Sequence, residues 1–257
     1  MRIHLPAAAT LFFTCASLFA QAADNHPDLT GYWQGMREKF NWNIAKDQPG
    51  MKPPLTPAGE AALKHNQTAT IDPESLCILG GTPRHNVSNM PFELLQTANK
   101  VAFLYSDGTY RFIPVDAKRK HSEIPDPSFF GEELGRWEGD TLVIDSIGFK
   151  DEKIWIDEYA NPSSDALHVE ERWTRPDTSH IHVETLVEDK KFYAKPFTYS
   201  RTWVAGPPDE DVLEFSCSEN NVDLSHMGFG PGPIRADGTI GYDNPAPLPP
   251  PLPKTAR

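Results

Sequence analysis

Apolar and polar residues alternate with a period of two through much of the stretch from residue 92 to residue 204, as in strands that each bury one face. The clearest instance is Thr141-Leu-Val-Ile-Asp-Ser146, which puts Thr141, Val143 and Asp145 on one face and Leu142, Ile144 and Ser146 on the other. Ahead of it, Glu138-Gly139-Asp140 supplies hairpin chemistry, because glycine takes positive φ without steric cost. Short runs at 92–96, 101–105 and 110–115 are separated by Thr97-Ala-Asn-Lys100 and Ser106-Asp-Gly-Thr109, both turn-forming. Further strands are predicted at 167–174, 181–188, 197–204 and 212–217, and Leu29-Thr-Gly-Tyr-Trp33 predicts the first of the series. One short helix precedes most of them: Thr56 serves as N-cap, Pro57 takes the first helical position, and residues 58 to about 66 are rich in helix formers.

About ten short strands without strand–helix alternation define an all-β chain and argue against a nucleotide-binding α/β fold. We expect an antiparallel meander closing into a lipocalin-like barrel, with a β-sandwich as the alternative. Closure removes exposed edges, and consecutive short links are simplest when neighbouring strands pair in order. The 257 residues, 39% of them apolar, suit one such domain.

Two flanking segments stand apart in composition. Residues 1–22 combine Arg2, an apolar run from Leu5 to Ala20 and the exit Ala20-Gln21-Ala22, which predicts a secretory signal peptide. Cys15 would mark a lipoprotein only behind a good lipobox, and Phe12-Phe13-Thr14 is a poor one. No later stretch approaches the roughly 20 apolar residues of a membrane span. The barrel domain is therefore expected at 23–227, followed at 228–257 by a Gly/Pro-rich tail whose composition predicts disorder and which contains Pro-Leu-Pro-Pro-Pro-Leu-Pro253.

Export changes the reading of charge and thiols. The formal charge is −12, or −13 once Arg2 leaves with the leader, so nucleic acid and anionic lipid are poor partners. Cys77 and Cys217 are then the only cysteines, and in an oxidising compartment a single disulfide is the economical reading. Closing so long a loop stabilises by about 4–5 kcal/mol on the chain-entropy model.

Candidate chemistry concentrates in 155–172. In an alternating strand His168, Glu170, Arg172 and Thr174 share a face opposite Leu167, Val169, Glu171 and Trp173. Lining the barrel, the first set places an imidazole, a carboxylate and a guanidinium around one cavity, suited to proton transfer and anion binding. Facing water, the commoner disposition, they are ordinary surface charges. The excursion Lys153-Ile-Trp155-Ile-Asp157-Glu158-Tyr159 adds Asp157 as a candidate base, Tyr159 as a donor and Trp155 as a ligand contact or a barrel seal. After Gly80-Gly81, Arg84 and His85 are candidates to face a ligand or to form a structural turn, and Glu219-Asn220 follows Cys217 closely. His180 and His182 share a face near Glu184, but no third ligand is evident, so no metal site is assigned. No nucleophile elbow, phosphate loop or haem-attachment motif occurs, and no cofactor is expected.

Together, Leu29-Thr-Gly-Tyr-Trp, Pro91-Phe-Glu-Leu-Leu-Gln96, Gly135-Arg-Trp-Glu-Gly-Asp-Thr-Leu-Val-Ile-Asp145, Leu167-His-Val-Glu-Glu-Arg172 and the segment 214–220 resemble a large family of exported bacterial proteins of unknown function. The resemblance covers most of the mature chain. It implies pairing of Cys77 with Cys217 and adds weight to an interior position for His168 and Arg172. The chain departs from the family pattern where Gly-His-Ser becomes Gly131-Glu-Glu and where Pro-Trp becomes Pro196-Phe197. A role carried by that histidine in relatives would be missing from this chain.

Three functional expectations follow. The first is an exported barrel enclosing a small, largely apolar or aromatic molecule, oriented by Arg172 or His168. The alternative is a cofactor-independent isomerase, lyase or hydrolase with His168 as acid or base, Asp157 or Glu170 as its partner, and Arg172 stabilising negative charge. A weaker third is an envelope protein whose proline tail recruits a partner.

Overall fold

The computed structural model describes residues 26–35, 51–88, 90–150, 155–219 and 221. The expected signal peptide at 1–22 and tail at 228–257 lie outside the described residues, as do Lys153, Ile154 and Asn220.

Among the described residues, nine strands form one sheet: β1 (Gly31–Gly35), β2 (Phe92–Thr97), β3 (Lys100–Tyr105), β4 (Tyr110–Pro114), β5 (Glu132–Glu138), β6 (Thr141–Ile147), β7 (His168–Thr174), β8 (His180–Glu188) and β9 (Phe197–Ala205). Their order is β4-β3-β2-β1-β9-β8-β7-β6-β5, and every neighbouring pair is antiparallel. An odd number of strands cannot alternate direction all the way round, so one contact must be parallel. It falls at the β4/β5 seam, where Val115 bridges Gly135 in parallel and the Asp116 amide donates to the Gly135 carbonyl at 2.9 Å. A Cβ at Gly135 would sit 3.1 Å from Val115 and 3.3 Å from the Pro114 carbonyl, so the glycine lets the seam approach. The sheet is thereby nearly closed into the expected barrel rather than a sandwich.

The hairpin turn predicted from Glu138-Gly139-Asp140 joins β5 to β6, with Glu138 paired to Thr141 and Gly139 at φ +61°. The predicted helix is α1 (Pro57–Ala69), started by Thr56 Oγ1 accepting from the Gly59 amide at 3.1 Å. A short 3-10 turn spans Pro73–Leu76, and a single helical turn, α2, spans Arg84–Val87. No described helix is long and apolar enough to cross a membrane.

The tenth strand predicted at 212–217 is not a strand. That segment is irregular, and its Phe215 amide reaches only the Ser106 carbonyl, at 2.7 Å. β4 and β5 meet at the seam through the Val115–Gly135 bridge, and the 212–217 segment pairs with neither of them.

Aromatic side chains fill the barrel. Trp33, Trp173 and Trp203 are at most 1% exposed, and the Phe92 ring contacts Trp203 at 4.9 Å, Phe103 at 5.3 Å and Trp173 at 5.8 Å. Burial of this much ring area is the main source of stability. A second cluster, including Phe149, Ile156, Phe192 and Tyr199, packs under α1. Trp137, partly buried against the core, is covered by His26, whose ring stacks on it at 4.4 Å.

Candidate functional site

Charge enters the barrel on inward rows through Arg111, Glu133 and Glu171, and β9 adds buried Arg201 in the row of Tyr199 and Trp203. Alternation along β7 turns Val169, Glu171 and Trp173 inward, and on β4 it turns Arg111 and Ile113 inward. Arg111 and Glu171 have no side-chain exposure and form an ion pair, while Arg111 Nε also donates to Glu133 of β5 at 2.7 Å. The Asn86 amide of α2 donates to Glu171, and Arg111 reaches the Tyr105 hydroxyl at 3.4 Å. One guanidinium thus serves two carboxylates. Burial pushes the Glu133 carboxyl up to about 7; Arg111 opposes that rise and neighbouring Glu171 adds to it.

This network runs outward to a pocket at the barrel end. His85, next to Asn86 in α2, sets its ring edge-on against Tyr105 at 4.9 Å and Phe130 at 5.1 Å. Its Nε2 lies 3.1 Å from Asp107 and 3.4 Å from Thr109, both in the β3–β4 hairpin turn. Burial would raise the Asp107 carboxyl, but hydrogen bonds with His85 and Thr109 outweigh it and hold the group below its ordinary range. The pocket measures about 300 Å³, with Ile78, Leu79, Met90 and Phe215 as apolar wall and His85, Asp107 and Thr109 as polar end.

Local sequence explains why His85 sits there. Gly81 has φ +65°, and a side chain on it would collide with the Phe129 carbonyl, so this loop can lie flat on the barrel only with glycine. Arg84 is buried and clamped by Asp72 at 2.7 Å and Glu74 at 2.9 Å. It is a structural anchor that aims its neighbour. Cys77 and Cys217, at bonding distance of 2.13 Å, close the same wall and tie the Phe215 segment to it.

The other candidates lie elsewhere. His168, Glu170 and Arg172 are on the outer face of β7 and do not line the interior. His168 bridges Asp145 (3.0 Å) and Glu188 (2.6 Å), and Asp145 also holds His121 at 2.6 Å. Hydrogen bonding to Asp145, helped by Glu188 and opposed by burial, raises the His168 imidazole to about 9. Glu170 joins Arg136, Arg172 and Glu138 in a surface ring of ion pairs. Asp157 is fully buried and spends its oxygens on its own loop, accepting from the Asn161 side chain (2.7 Å) and the Tyr159 and Asn161 amides (3.0 and 3.2 Å). Tyr159 is exposed, and Trp155 bridges Pro162 in that loop. None of the three reaches the pocket wall. His180 pairs with Asp177 at 2.9 Å and His182 with Thr202 at 3.4 Å.

The sequence reading passed over Arg111, Glu133, Glu171 and Asp107. One signal was present: Glu171 stands between Val169 and Trp173 in the row that must be buried once its opposite row is fully polar. A charge in a buried row requires a partner, but Arg111 gave no such signal: its neighbours Tyr110 and Phe112 form the apolar row of β4, and that row is the exposed one.

No family model matches the chain, and no curated protein matches it.

Proposed function

We propose that the protein is an exported barrel that binds a small, largely apolar or aromatic molecule carrying one hydrogen-bonding group. The binding site is the end pocket rather than the barrel centre, which Trp33, Phe92, Trp173 and Trp203 occupy. The observation that carries this reading is the roughly 300 Å³ pocket whose apolar wall ends on buried His85 and its half-buried partner Asp107. Small-ligand sites have this make-up, an apolar enclosure with few convergent polar groups. His85 Nδ1 and Asn86 Oδ1 are buried without a hydrogen-bond partner among the described residues, which leaves polar capacity beside the pocket.

A second reading, cofactor-independent acid–base catalysis, is favoured by the same pair. An imidazole 3.1 Å from a carboxylate inside an apolar pocket is suited to proton transfer. His168 is less suited to act as a base, because its two carboxylate partners hold it protonated to about pH 9.

Indole, phenol and benzoate are suitable probes, followed by amide chemical shifts of the full-length protein. Saturable shifts at His85, Asp107 and Phe215, lost in His85→Phe, support the pocket. Shifts absent for all three probes, or unaffected by that substitution, overturn it.

A further inference from the structure

The outer surface of β2–β4 carries an apolar face that no described residue covers. Tyr110 and Phe112 are 59% and 57% exposed, their rings 4.9 Å apart, and Leu95 is 44% exposed. Register places Leu104 opposite Tyr110, and Ala102 opposite both Phe112 and Leu95, so these side chains form one continuous patch across three strands. Two neighbouring exposed aromatics on a sheet are the kind of surface that proline-rich segments recognise, because a proline-rich stretch gives up little entropy when it docks on rings.

Such a segment is present in the chain. Residues 245–253 read Pro-Ala-Pro-Leu-Pro-Pro-Pro-Leu-Pro, with Lys254 and Arg257 following. Near its end the described chain meets the turn that leads into β4, where the Phe215 amide bonds the Ser106 carbonyl four residues before Tyr110, and at Asn221 its side chain reaches the Ser75 carbonyl at 3.4 Å. From Asn221 to Pro245 is 24 residues, a span of up to about 80 Å when extended, longer than the strands of the sheet themselves. Tethering at this length gives an effective concentration on the order of millimolar, so even a weak contact is populated. Charge agrees as well. Glu93 lies in the same cross-strand row as Leu104 and Tyr110, and Glu210 and Asp211 share a surface hollow with it and with Arg175, so three carboxylates against one guanidinium leave a net acidic rim for Lys254 and Arg257.

We propose that the Leu95–Leu104–Tyr110–Phe112 face is the docking site for residues 245–253 of the same chain. The proposal is independent of the end-pocket reading.

The test is photo-crosslinking in the full-length protein with Tyr110→p-benzoylphenylalanine, which keeps an aromatic ring at an exposed position. The expected product is an intrachain crosslink to a peptide spanning 245–253, its yield falling at least fivefold in Leu248→Asp/Leu252→Asp and in Phe112→Ser. The tail double variant leaves the barrel sequence untouched, so a fall there is not a folding defect. Crosslinks only to other segments, crosslinks only to a second copy, no crosslink, or a yield unchanged by the tail variant would each overturn the proposal.

Discussion

Arg111 of β4 and Glu171 of β7 meet inside the barrel as an ion pair with no solvent exposure on either side chain. They come from strands separated by five others along the sheet order, so the contact crosses the barrel interior rather than following a register. Removing one partner of such a pair strands the other charge in a dry interior. Glu171→Ala is expected to cost about 3–5 kcal/mol, read as a lowered urea midpoint with an unchanged m-value.

Glu133 gives the opposite expectation. Its carboxyl titrates near 7 in the folded protein against 4.5 for the free group, so the folded state holds the proton more tightly. Its stabilising contribution is complete below about pH 4.5, declines between 4.5 and 7, and is absent above that. Glu133→Gln keeps an acceptor for Arg111 without the second buried charge. The variant should be at least as stable as the parent at pH 8, with a flatter thermal-midpoint profile between pH 5 and 7.

His168 sets the alkaline side. Its folded-state value of about 9 lies above the ordinary 6.5, so its contribution is full below 6.5 and is lost as pH rises to 9. Its partner Asp145 is held below the usual 3.8, chiefly by the hydrogen bond to His168, and this contribution is lost only as pH falls below 3.8. Thermal midpoints should therefore decline from pH 6.5 to 9, and His168→Gln should remove most of that slope while leaving probe binding in the end pocket intact.

Reduction of the Cys77–Cys217 pair tests stability and pocket together. The pair spans 140 residues, which on the chain-entropy model corresponds to about 4–5 kcal/mol. Both cysteines and Phe215 belong to the pocket wall. Cys77→Ser/Cys217→Ser is expected to lower the urea midpoint and to weaken indole binding at least tenfold at a denaturant concentration where the variant remains folded.

Strand positions were legible because period-two alternation and turn chemistry are local. Glu138-Gly139-Asp140 with the alternation that follows announced the β5–β6 hairpin, and Thr56-Pro57 announced α1. The failure at 212–217 was equally physical: an apolar run becomes a strand only when it pairs with a neighbouring strand, and this segment meets the barrel through the Phe215–Ser106 backbone bond at a turn rather than along a strand. Part of the candidate site was legible too, since His85 follows the Gly80-Gly81 turn and lies near a cysteine. Its partner Asp107 was not, because it looks like ordinary turn chemistry until the β3–β4 hairpin folds over α2.

Sequence by itself determined that this chain is a β-meander preceded by α1, without the helical turn α2, and that β7 has one wholly polar row and one row containing Glu171. Periodicity assigns residues to faces, and a fully polar row more commonly faces water, but neither says which strands meet across the interior. Only barrel closure decided that His168, Glu170 and Arg172 look outward, that Glu171 meets Arg111 inside, and that His85 joins Asp107 at the open end. These pairings link residues up to 60 positions apart, and distance in space at that separation is a property of the closed sheet.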